Sequence, residues 1–310
     1  MVSLRTLNLY ATILHYVLAL GLAIYFGYLN NKYTNQPVQG VELTLRDHEL
    51  SLISYVGNCP ATSDPSGNTV YCDSSNNNGI GSGWKSTVTA TPSIQLIQKL
   101  IIGFFLITGS FHLTYYLTSN DEKDNYSVMI ANGNNYLRWI EYCITSTMML
   151  YIIAFSSGVK DTNVYIMLFA NNVAMISQGQ LVEEAVRDGK PWWIPMVTSF
   201  MLLFSEFFII ARSFFRQLNS VNSFLDKNKT GPLASITKGA TIPTWIKLVI
   251  MILFVFYSCF GFVSLIGSIA KVKYESIEKA YIILSFVAKA TLGIFVAFGI
   301  AQRQQGWKKP

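Results

Sequence analysis

Lys289 is the residue of this sequence whose type and position most clearly indicate chemistry. It occurs in Tyr281-Ile-Ile-Leu-Ser-Phe-Val-Ala-Lys289-Ala-Thr-Leu-Gly-Ile, near the middle of a long apolar run. A charge this deep in a membrane span is costly, so the amine must either pair with a carboxylate or react. Desolvation favours the neutral amine, which can attack an aldehyde to form a Schiff base. A purely structural ion pair is the alternative, and the pattern alone leaves both open.

Glu141 is the second charge inside an apolar run. One face of its predicted helix contains five residues in the 3, 4, 3, 4 spacing, namely Arg138, Glu141, Thr145, Met148 and Ile152. Lys289 lies some 13 residues into the last span from the same membrane face, deeper than Glu141. A carboxylate one or two turns from a buried cation has the geometry of a counterion. An Arg138–Glu141 pair at the membrane edge is the alternative.

Two histidines, His15 and His112, also fall inside predicted spans. At about 1.5 Å per residue, His112 and Glu141 both lie about 9 Å below one membrane face, and His15 lies about one turn deeper. Three titratable groups at similar depth predict a hydrogen-bonded polar cavity around the carboxylate. Histidines that only complete a packed core are the alternative.

The composition indicates a membrane protein. Of 310 residues, 51% are hydrophobic and 13% charged, whereas soluble domains carry about 25% charged residues. Each of the apolar runs is long enough to cross a hydrocarbon core of about 30 Å. The seven candidate spans are 4–29, 93–118, 135–157, 162–186, 192–217, 243–270 and 276–302. We predict one all-α domain over residues 1–310, a seven-transmembrane-helix bundle. The net charge of +6 is interpreted as membrane flanking, without a nucleic-acid surface.

The long connection 30–92 predicts a small β hairpin or sheet on the membrane surface. Strand-like segments at 41–46, 50–56 and 69–72 are separated by turn-forming residues. Cys59 and Cys72, in this same connection, are candidates for a disulfide, which persists only in an oxidising compartment. The two remaining cysteines lie in apolar runs and are interpreted as packing residues, and no pattern indicates a metal site.

The orientation in the membrane depends on two rules that disagree. Basic residues in 212–242 and in the C-terminal tail favour an extracellular N-terminus. The disulfide hypothesis instead places 30–92 outside and the N-terminus inside. Because the charge excess is small and long loops count little, we predict a cytoplasmic N-terminus and an extracellular C-terminus.

The third and last spans together resemble the microbial-type rhodopsins. In those proteins an Arg is followed by an aromatic residue, a carboxylate, a second aromatic residue and a hydroxyl at fixed spacing, here Arg138, Trp139, Glu141, Tyr142 and Thr145. The last span of the chain supplies the lysine. The glutamate at the counterion position, Ser285, His15, His112 and the long first loop are similar to the heliorhodopsin branch, and the resemblance covers nearly the whole chain.

The heliorhodopsin resemblance implies a covalently bound chromophore. It assigns all-trans retinal to Lys289 as a Schiff base, with Glu141 as counterion and Ser285, His15 and His112 nearby. It further implies isomerisation to 13-cis, a slow photocycle, a cytoplasmic N-terminus and a homodimer. The other residues expected around the chromophore are Thr108, Arg138, Trp139, Tyr142, Thr145, Met148, Met175, Phe204, Phe256, Tyr257 and Phe260. Phe254 is a further aromatic candidate from the sixth span.

The sequence predicts a light-sensing photoreceptor without net pumping, and neither an enzyme nor a metal protein. Pumps of the wider superfamily keep carboxylates where this chain has Ser285 and Ile152. We expect the protein to act on a signalling partner within the lipid membrane. Glu206, deep in the fifth span, motivates a light-activated proton conductor as the alternative, although it equally suits a hydrogen bond to a neighbouring helix. A transporter or receptor without retinal is the third hypothesis.

Overall fold

The chain folds into long helices and one small antiparallel sheet. The structure, a computed structural model, describes residues 3–33, 45–55, 70–73, 78–90, 94–119, 124–227, 244–270 and 272–305. Its helices are α1 (Leu4–Tyr33), α2 (Ile94–Leu117), α3 (Asn125–Ala131), α4 (Tyr136–Ser156), α5 (Thr162–Arg187), α6 (Trp193–Lys227), α7 (Thr244–Ala270) and α8 (Tyr274–Gln305). Its strands are β1 (Leu45–Tyr55), β2 (Val70–Asp73) and β3 (Asn78–Ala90).

Backbone contacts divide the chain into two compact units. The helical unit comprises Met1–Val41, Ser93–Val159 and Ile166–Pro310, and the other unit comprises Glu42–Pro92 and Lys160–Tyr165. The single domain predicted over residues 1–310 therefore contains two units, each of which is described by itself below.

Six helices in the described part of the chain are long and apolar enough to cross a membrane. They cover Leu4–Lys32, Gln95–Leu117, Tyr136–Ser156, Trp193–Ser220, Ile250–Ala270 and Tyr274–Ala301. These six coincide with six of the predicted spans, although α6 continues to Lys227 because no Gly or Pro follows Pro195 within it. The remaining predicted span is α5, which is too polar for the same test since it includes Asn171, Asn172 and Glu183. The protein is thus an integral membrane protein built as a helical bundle.

The helical unit exposes apolar side chains and buries polar ones. Leu20 and Met201 are 64% and 68% exposed, whereas Asn8, Thr108 and Glu206 are fully buried. Lipid cannot hydrogen-bond to polar groups, so these groups turn toward the bundle interior. This inverted pattern collects the polar residues of several helices into one internal region.

Helix packing determines which residues meet in that interior. α1 packs against α2 and α8, α2 against α4, and α7 against both α6 and α8. The short helix α3, which was not predicted, contributes the buried Tyr126, whose ring stacks on Tyr115 of α2 at a centroid distance of 4.7 Å. The interior therefore receives side chains from one short helix as well as the long ones.

The second unit contains a three-stranded antiparallel sheet with β3 in the centre, in the order β1–β3–β2. Leu50 of β1 lies opposite Trp84, and Cys72 of β2 lies opposite Gly79. The glycine-rich segment of β3 was not predicted as a strand, because glycine is depleted in strands. Cys59 lies outside the described residues, so its pairing with Cys72, like the position of this unit at the membrane surface, stays a prediction.

Candidate functional site

The amine of Lys289 is buried in the middle of α8 and is held by two side chains. Its side chain is 3% exposed. Nζ donates to Glu141 Oε1 at 3.0 Å and to Ser285 Oγ at 2.7 Å. Ser285 lies one helical turn before Lys289 and therefore on the same face. The structure brings these three sequence-predicted residues into direct contact.

Glu141 connects three helices at one carboxylate oxygen. In addition to Lys289 of α8, Thr108 Oγ1 of α2 donates to Glu141 Oε1, at 2.7 Å. The Glu141 side chain, on α4, is only 2% exposed. A buried carboxylate needs an ion pair and hydrogen bonds to offset the loss of its hydration. Thr108 thus supports the carboxylate, which in turn compensates the buried amine.

An apolar pocket opens beside the Lys289 amine. Its cavity volume is about 90 Å³. Aromatic rings and aliphatic side chains form most of its wall. The lining residues are Trp139, Tyr142, Thr145, Ser146, Met149, Met175, Ile176, Gly179, Val182, Met196, Ser199, Phe200, Leu203, Tyr257, Phe260, Gly261, Ser264, Tyr281, Ser285, Ala288 and Lys289. An elongated apolar molecule with one reactive polar end suits this chemistry.

Two glycines set the position of the pocket walls. A Cβ atom on Gly179 would lie 2.7 Å from the Trp139 ring, and one on Gly261 would lie 2.7 Å from the Phe200 ring. Real Cβ contacts are longer than this, so either added methyl group would displace a ring. Both rings line the pocket. The position of each ring therefore depends on the glycine that the neighbouring helix has at the point of contact.

His15 and His112 form a histidine layer near Glu141. Their ring centroids are 5.4 Å apart. His15 Nδ1 lies 2.7 Å from the Ala11 carbonyl oxygen, and His112 Nδ1 lies 2.8 Å from Asn8 Oδ1. Neither Nε2 atom has a hydrogen-bond partner among the described residues, and both are buried. Buried polar atoms are almost always satisfied, so this layer has the chemistry of a site for internal water.

Arg138 forms a second buried charged group, the Arg138 cluster, with Glu183 of α5 and Glu278 of α8. Tyr274 OH donates to Glu183 Oε2 at 3.0 Å, and Asn135 Nδ2 donates to Glu278 Oε1 at 2.7 Å. The alternative pairing of Arg138 with Glu141 is wrong, since Glu141 pairs with Lys289. Arg138 therefore does not line the pocket and instead joins α4 to two other helices.

The comparison with known proteins matches this arrangement to one family. The family model described as Heliorhodopsin matches residues 81–301. The chain belongs to the heliorhodopsin family. No curated protein sequence matches the chain. Heliorhodopsins are retinal-binding, light-sensing rhodopsins and not classical enzymes, so the family implies a retinal chromophore.

The residues of this heliorhodopsin pocket fit retinal. Retinal is a conjugated apolar chain with an aldehyde at one end, and the pocket combines an aromatic wall with a single amine at Lys289. The amine already has a carboxylate partner, which a cationic nitrogen would need in this buried position. The flat walls formed by Trp139 and Phe200, each packed on a glycine, suit a flat ligand.

The structure places six of the eleven other residues predicted around the chromophore in the pocket wall. Trp139, Tyr142, Thr145, Met175, Tyr257 and Phe260 line it. Phe204 does not line it, because this side chain lies on the outer face of α6 and is 55% exposed. Phe200 and Leu203 are the α6 residues that line the pocket. Phe254 and Phe256 also lie outside the lining, so Tyr257 and Phe260 are the inward aromatics of α7.

Met148 is a further correction to the predicted helix face. Met149 lines the pocket, whereas Met148 points to α2, where its Cε lies 2.9 Å from the place that a Gly103 Cβ would take. The ideal helix spacing identified the Glu141 face correctly near the start of α4. That face meets α2 at Glu141, through Thr108, and meets α2 again at Met148, through Gly103.

Two buried carboxylates, Glu183 and Glu278, were missed in the sequence. Both are buried, at 9% and 1% exposure, and both lie inside predicted spans near the membrane face from which α4 begins. Charges in spans are a signal for partners within the membrane. The sequence contained that signal, but their shared partner Arg138 could be identified only from the packing of α4, α5 and α8.

Proposed function

We propose that this heliorhodopsin carries retinal on Lys289, with Glu141 as the counterion, and that it is a photoreceptor without net ion transport. The observation that supports the assignment is the buried Lys289 amine, bonded to Glu141 and Ser285 at the edge of an aromatic pocket. Lys289 Nζ would hold all-trans retinal as a Schiff base, which forms from the amine and the aldehyde with loss of water.

The chain's own residues then hold and move one proton. When bound, retinal supplies visible absorption and a light-driven trans-to-13-cis isomerisation. Glu141 stabilises the positive charge on the Lys289 nitrogen, and Thr108 fixes the carboxylate oxygen that does so. When the Lys289 nitrogen releases its proton, the histidine layer of His15 and His112 serves as the acceptor, because imidazole exchanges protons near neutral pH.

We propose that this proton returns to the Lys289 nitrogen and is not transported across the membrane. Ser285, where pumps of the wider superfamily keep a carboxylate, cannot hold a proton as an acid would, and it bonds directly to Lys289. Ile152 takes the second such position and is a fully buried apolar residue. The light-induced change at Lys289 therefore acts on helix arrangement, which a signalling partner reads.

The experiment is to add all-trans retinal to the purified protein and record its visible spectrum. We expect a pigment in the wild type and in Lys279→Ala, a control in the same helix whose lysine forms an ion pair with Glu275. Lys289→Ala should remain folded and colourless. Pigment formation by Lys289→Ala would contradict the assignment.

We further propose that α5 is the seventh membrane helix. Its exposed face is apolar, with Ile166 and Met167 at 60% and 64% exposure, while Asn172 is fully buried. Asn172 Nδ2 donates to Ser146 Oγ and Thr147 Oγ1 of α4, each at 2.8 Å. Asn172, one of the polar residues that lower the hydropathy of α5, is thus hydrogen-bonded inside the bundle. Seven spans, with a cytoplasmic N-terminus and an extracellular C-terminus, complete the proposal, together with assembly as a homodimer.

A light-activated proton conductor is the second candidate, and Glu206 favours it. This α6 carboxyl is fully buried, and neither of its oxygens has a hydrogen-bond partner among the described residues. Such a group is available to take up and release protons. Under voltage clamp we expect no sustained photocurrent. A sustained current that reverses with the proton gradient, and that disappears in Glu206→Gln, would establish the conductor instead.

A further inference from the structure

Three hydrogen bonds join the histidine layer to the Arg138 cluster. His112 Nδ1 lies 2.8 Å from Asn8 Oδ1. Asn8 Nδ2 donates to Tyr126 OH at 3.2 Å, and Tyr126 OH donates to Glu278 Oε1 at 3.3 Å. All four residues are buried. The chain crosses from α2 through α1 and α3 to α8, and it leads away from Glu141 toward the group around Arg138.

The direction of donation along this chain follows from the chemistry of its members. The Glu278 carboxylate only accepts, so the Tyr126 hydroxyl donates to it and accepts from the Asn8 amide nitrogen. The Asn8 oxygen then faces His112. Because that oxygen only accepts, His112 Nδ1 carries the hydrogen and its Nε2 is a lone-pair nitrogen. His112 is therefore prepared to accept a proton at Nε2, the atom without a partner among the described residues.

The amide of Asn8 cannot relay that proton as an acid or a hydroxyl would. To do so, Oδ1 would have to gain a proton from His112 while Nδ2 lost one to Tyr126. That exchange leaves the amide in its unstable imidic-acid form. The hydrogen bonds of Asn8 are thus compatible with electrostatic coupling between the two groups and incompatible with proton passage.

We propose that Asn8 is a positioning residue that confines the proton to the histidine layer. It fixes the His112 tautomer so that Nε2 can take up the proton released at Lys289, and it stops that proton from reaching Glu278. This inference rests on the proposed function, since it requires the proton of Lys289 to enter the layer.

The other titratable groups around the histidine layer do not provide a bypass. His15 Nδ1 bonds to the Ala11 backbone carbonyl, which cannot relay a proton. Glu141 is engaged by Lys289 and Thr108. Tyr115, whose ring lies 5.9 Å from the His112 ring, has no hydrogen-bond partner for its hydroxyl among the described residues. Asn8 is therefore the point at which the proton's route is decided.

Asn8→Asp is the variant that tests this role. A proton can enter the introduced carboxyl at one oxygen while another leaves from its second oxygen. After His112 has taken up a proton at Nε2, its Nδ1 gives a hydrogen to one oxygen of this carboxyl. The other oxygen gives a hydrogen to the Tyr126 hydroxyl, which passes its original hydrogen to Glu278. His112 is left neutral with hydrogen on Nε2. Glu278 gains the proton that Lys289 lost.

Light-minus-dark infrared spectra of the pigment report this transfer. We expect a new carboxylic-acid carbonyl band in Asn8→Asp, its absence in the wild type and its loss in Asn8→Asp combined with Tyr126→Phe. Asn135→Asp is the matched control, because Asn135 is equally buried and bonds to Glu278 but not to His112. A band of equal size in the wild type or in the control would overturn the proposal.

A measurement without retinal keeps the inference testable even if Asn8→Asp does not assemble. In ¹⁵N spectra of the unloaded wild type in lipid nanodiscs, His112 should carry its hydrogen on Nδ1, and Asn8→Ala should lose that preference. Hydrogen on Nε2 in the wild type would refute the assigned direction.

Flash spectroscopy separates the two proposals. If no pigment forms on Lys289, the proposed function fails and this inference with it. If a pigment forms and light never deprotonates it, the retinal assignment stands and this inference fails. If deprotonation occurs and Asn8→Asp leaves Glu278 ionised, only the inference fails.

Discussion

At the scale of single residues, the two buried cations of the bundle differ in what surrounds them. Lys289 has one carboxylate, Glu141, and it faces a pocket. Arg138 has two carboxylates and does not line the pocket beside Lys289. A lysine amine can lose its proton when desolvated, whereas the arginine guanidinium stays charged. The lysine thus occupies the reactive position beside the pocket, and the arginine occupies the structural position between helices.

The Glu141→Gln variant should change the colour of the pigment. A negative charge beside the Lys289 nitrogen stabilises the ground state, where positive charge is localised there, more than the excited state. Its removal should shift absorption to the red, or should favour an ultraviolet-absorbing deprotonated form near neutral pH. The measurement is a visible spectrum with a pH titration, and Glu206→Gln is the control because Glu206 does not line the pocket. An unchanged spectrum in Glu141→Gln would assign the counterion to another carboxylate.

The Glu278→Gln variant should lower stability much more than the same change at Glu275. Glu278 is buried against Arg138, and loss of one partner from a buried pair typically costs about 3–5 kcal/mol. Glu275, three residues earlier in α8, forms an exposed pair with Lys279, which is typically worth about 0.3–0.5 kcal/mol. Thermal unfolding of both variants in one detergent measures the difference. Equal melting temperatures would mean that the Arg138 cluster contributes little to stability.

At the scale of helices, the approach of α5 to α4 depends on a missing side chain. Gly179→Ala adds a methyl group that would lie 2.7 Å from the Trp139 ring. We expect this variant to form less pigment or a pigment of shifted colour, since the displaced ring lines the pocket. Gly27→Ala is the control, because nothing lies within 4 Å of the added methyl group in α1. Wild-type colour and yield in Gly179→Ala would show that the wall tolerates the shift.

The sequence predicted the long helices closely and the interior only in part. Long apolar runs identify membrane helices because lipid demands both length and hydropathy. Lys289 and Glu141 were recognisable because an isolated charge in such a run requires a partner. Phe204 and Met148 were misplaced because the rotation of each helix depends on its neighbours. Asn8 and Tyr126 escaped notice because the short helix α3 has no distinct pattern and a lone asparagine in α1 does not identify its partner.

At the scale of the whole molecule, the cysteines provide a test of orientation. The prediction is a disulfide between Cys59 and Cys72 on the extracellular side, whereas Cys143 and Cys259 are free thiols in α4 and α7. Closing a loop of this size is typically worth about 3 kcal/mol in the chain-entropy model. Peptide mapping without reductant should find the bridge, and membrane-impermeant labels after reduction should reach it from outside. Two free thiols at these positions, or labelling from the cytoplasm, would reverse the predicted topology.

The position of the ion pairs along the chain also has a consequence for biosynthesis. Glu141 enters the membrane with α4, and its partner Lys289 is synthesised only with α8, 148 residues later. Arg138 likewise waits for Glu183 and then Glu278. During that interval Arg138 and Glu141, three residues apart on one helix, are the compensation available to each other. We expect ribosome-bound chains that end before α5 to hold this temporary pair and to be preferred substrates of membrane quality control. α5 then supplies Glu183 to Arg138, and the final helix supplies Glu278 and Lys289, so that completion of the bundle and completion of the chromophore site are a single event in the life of the polypeptide.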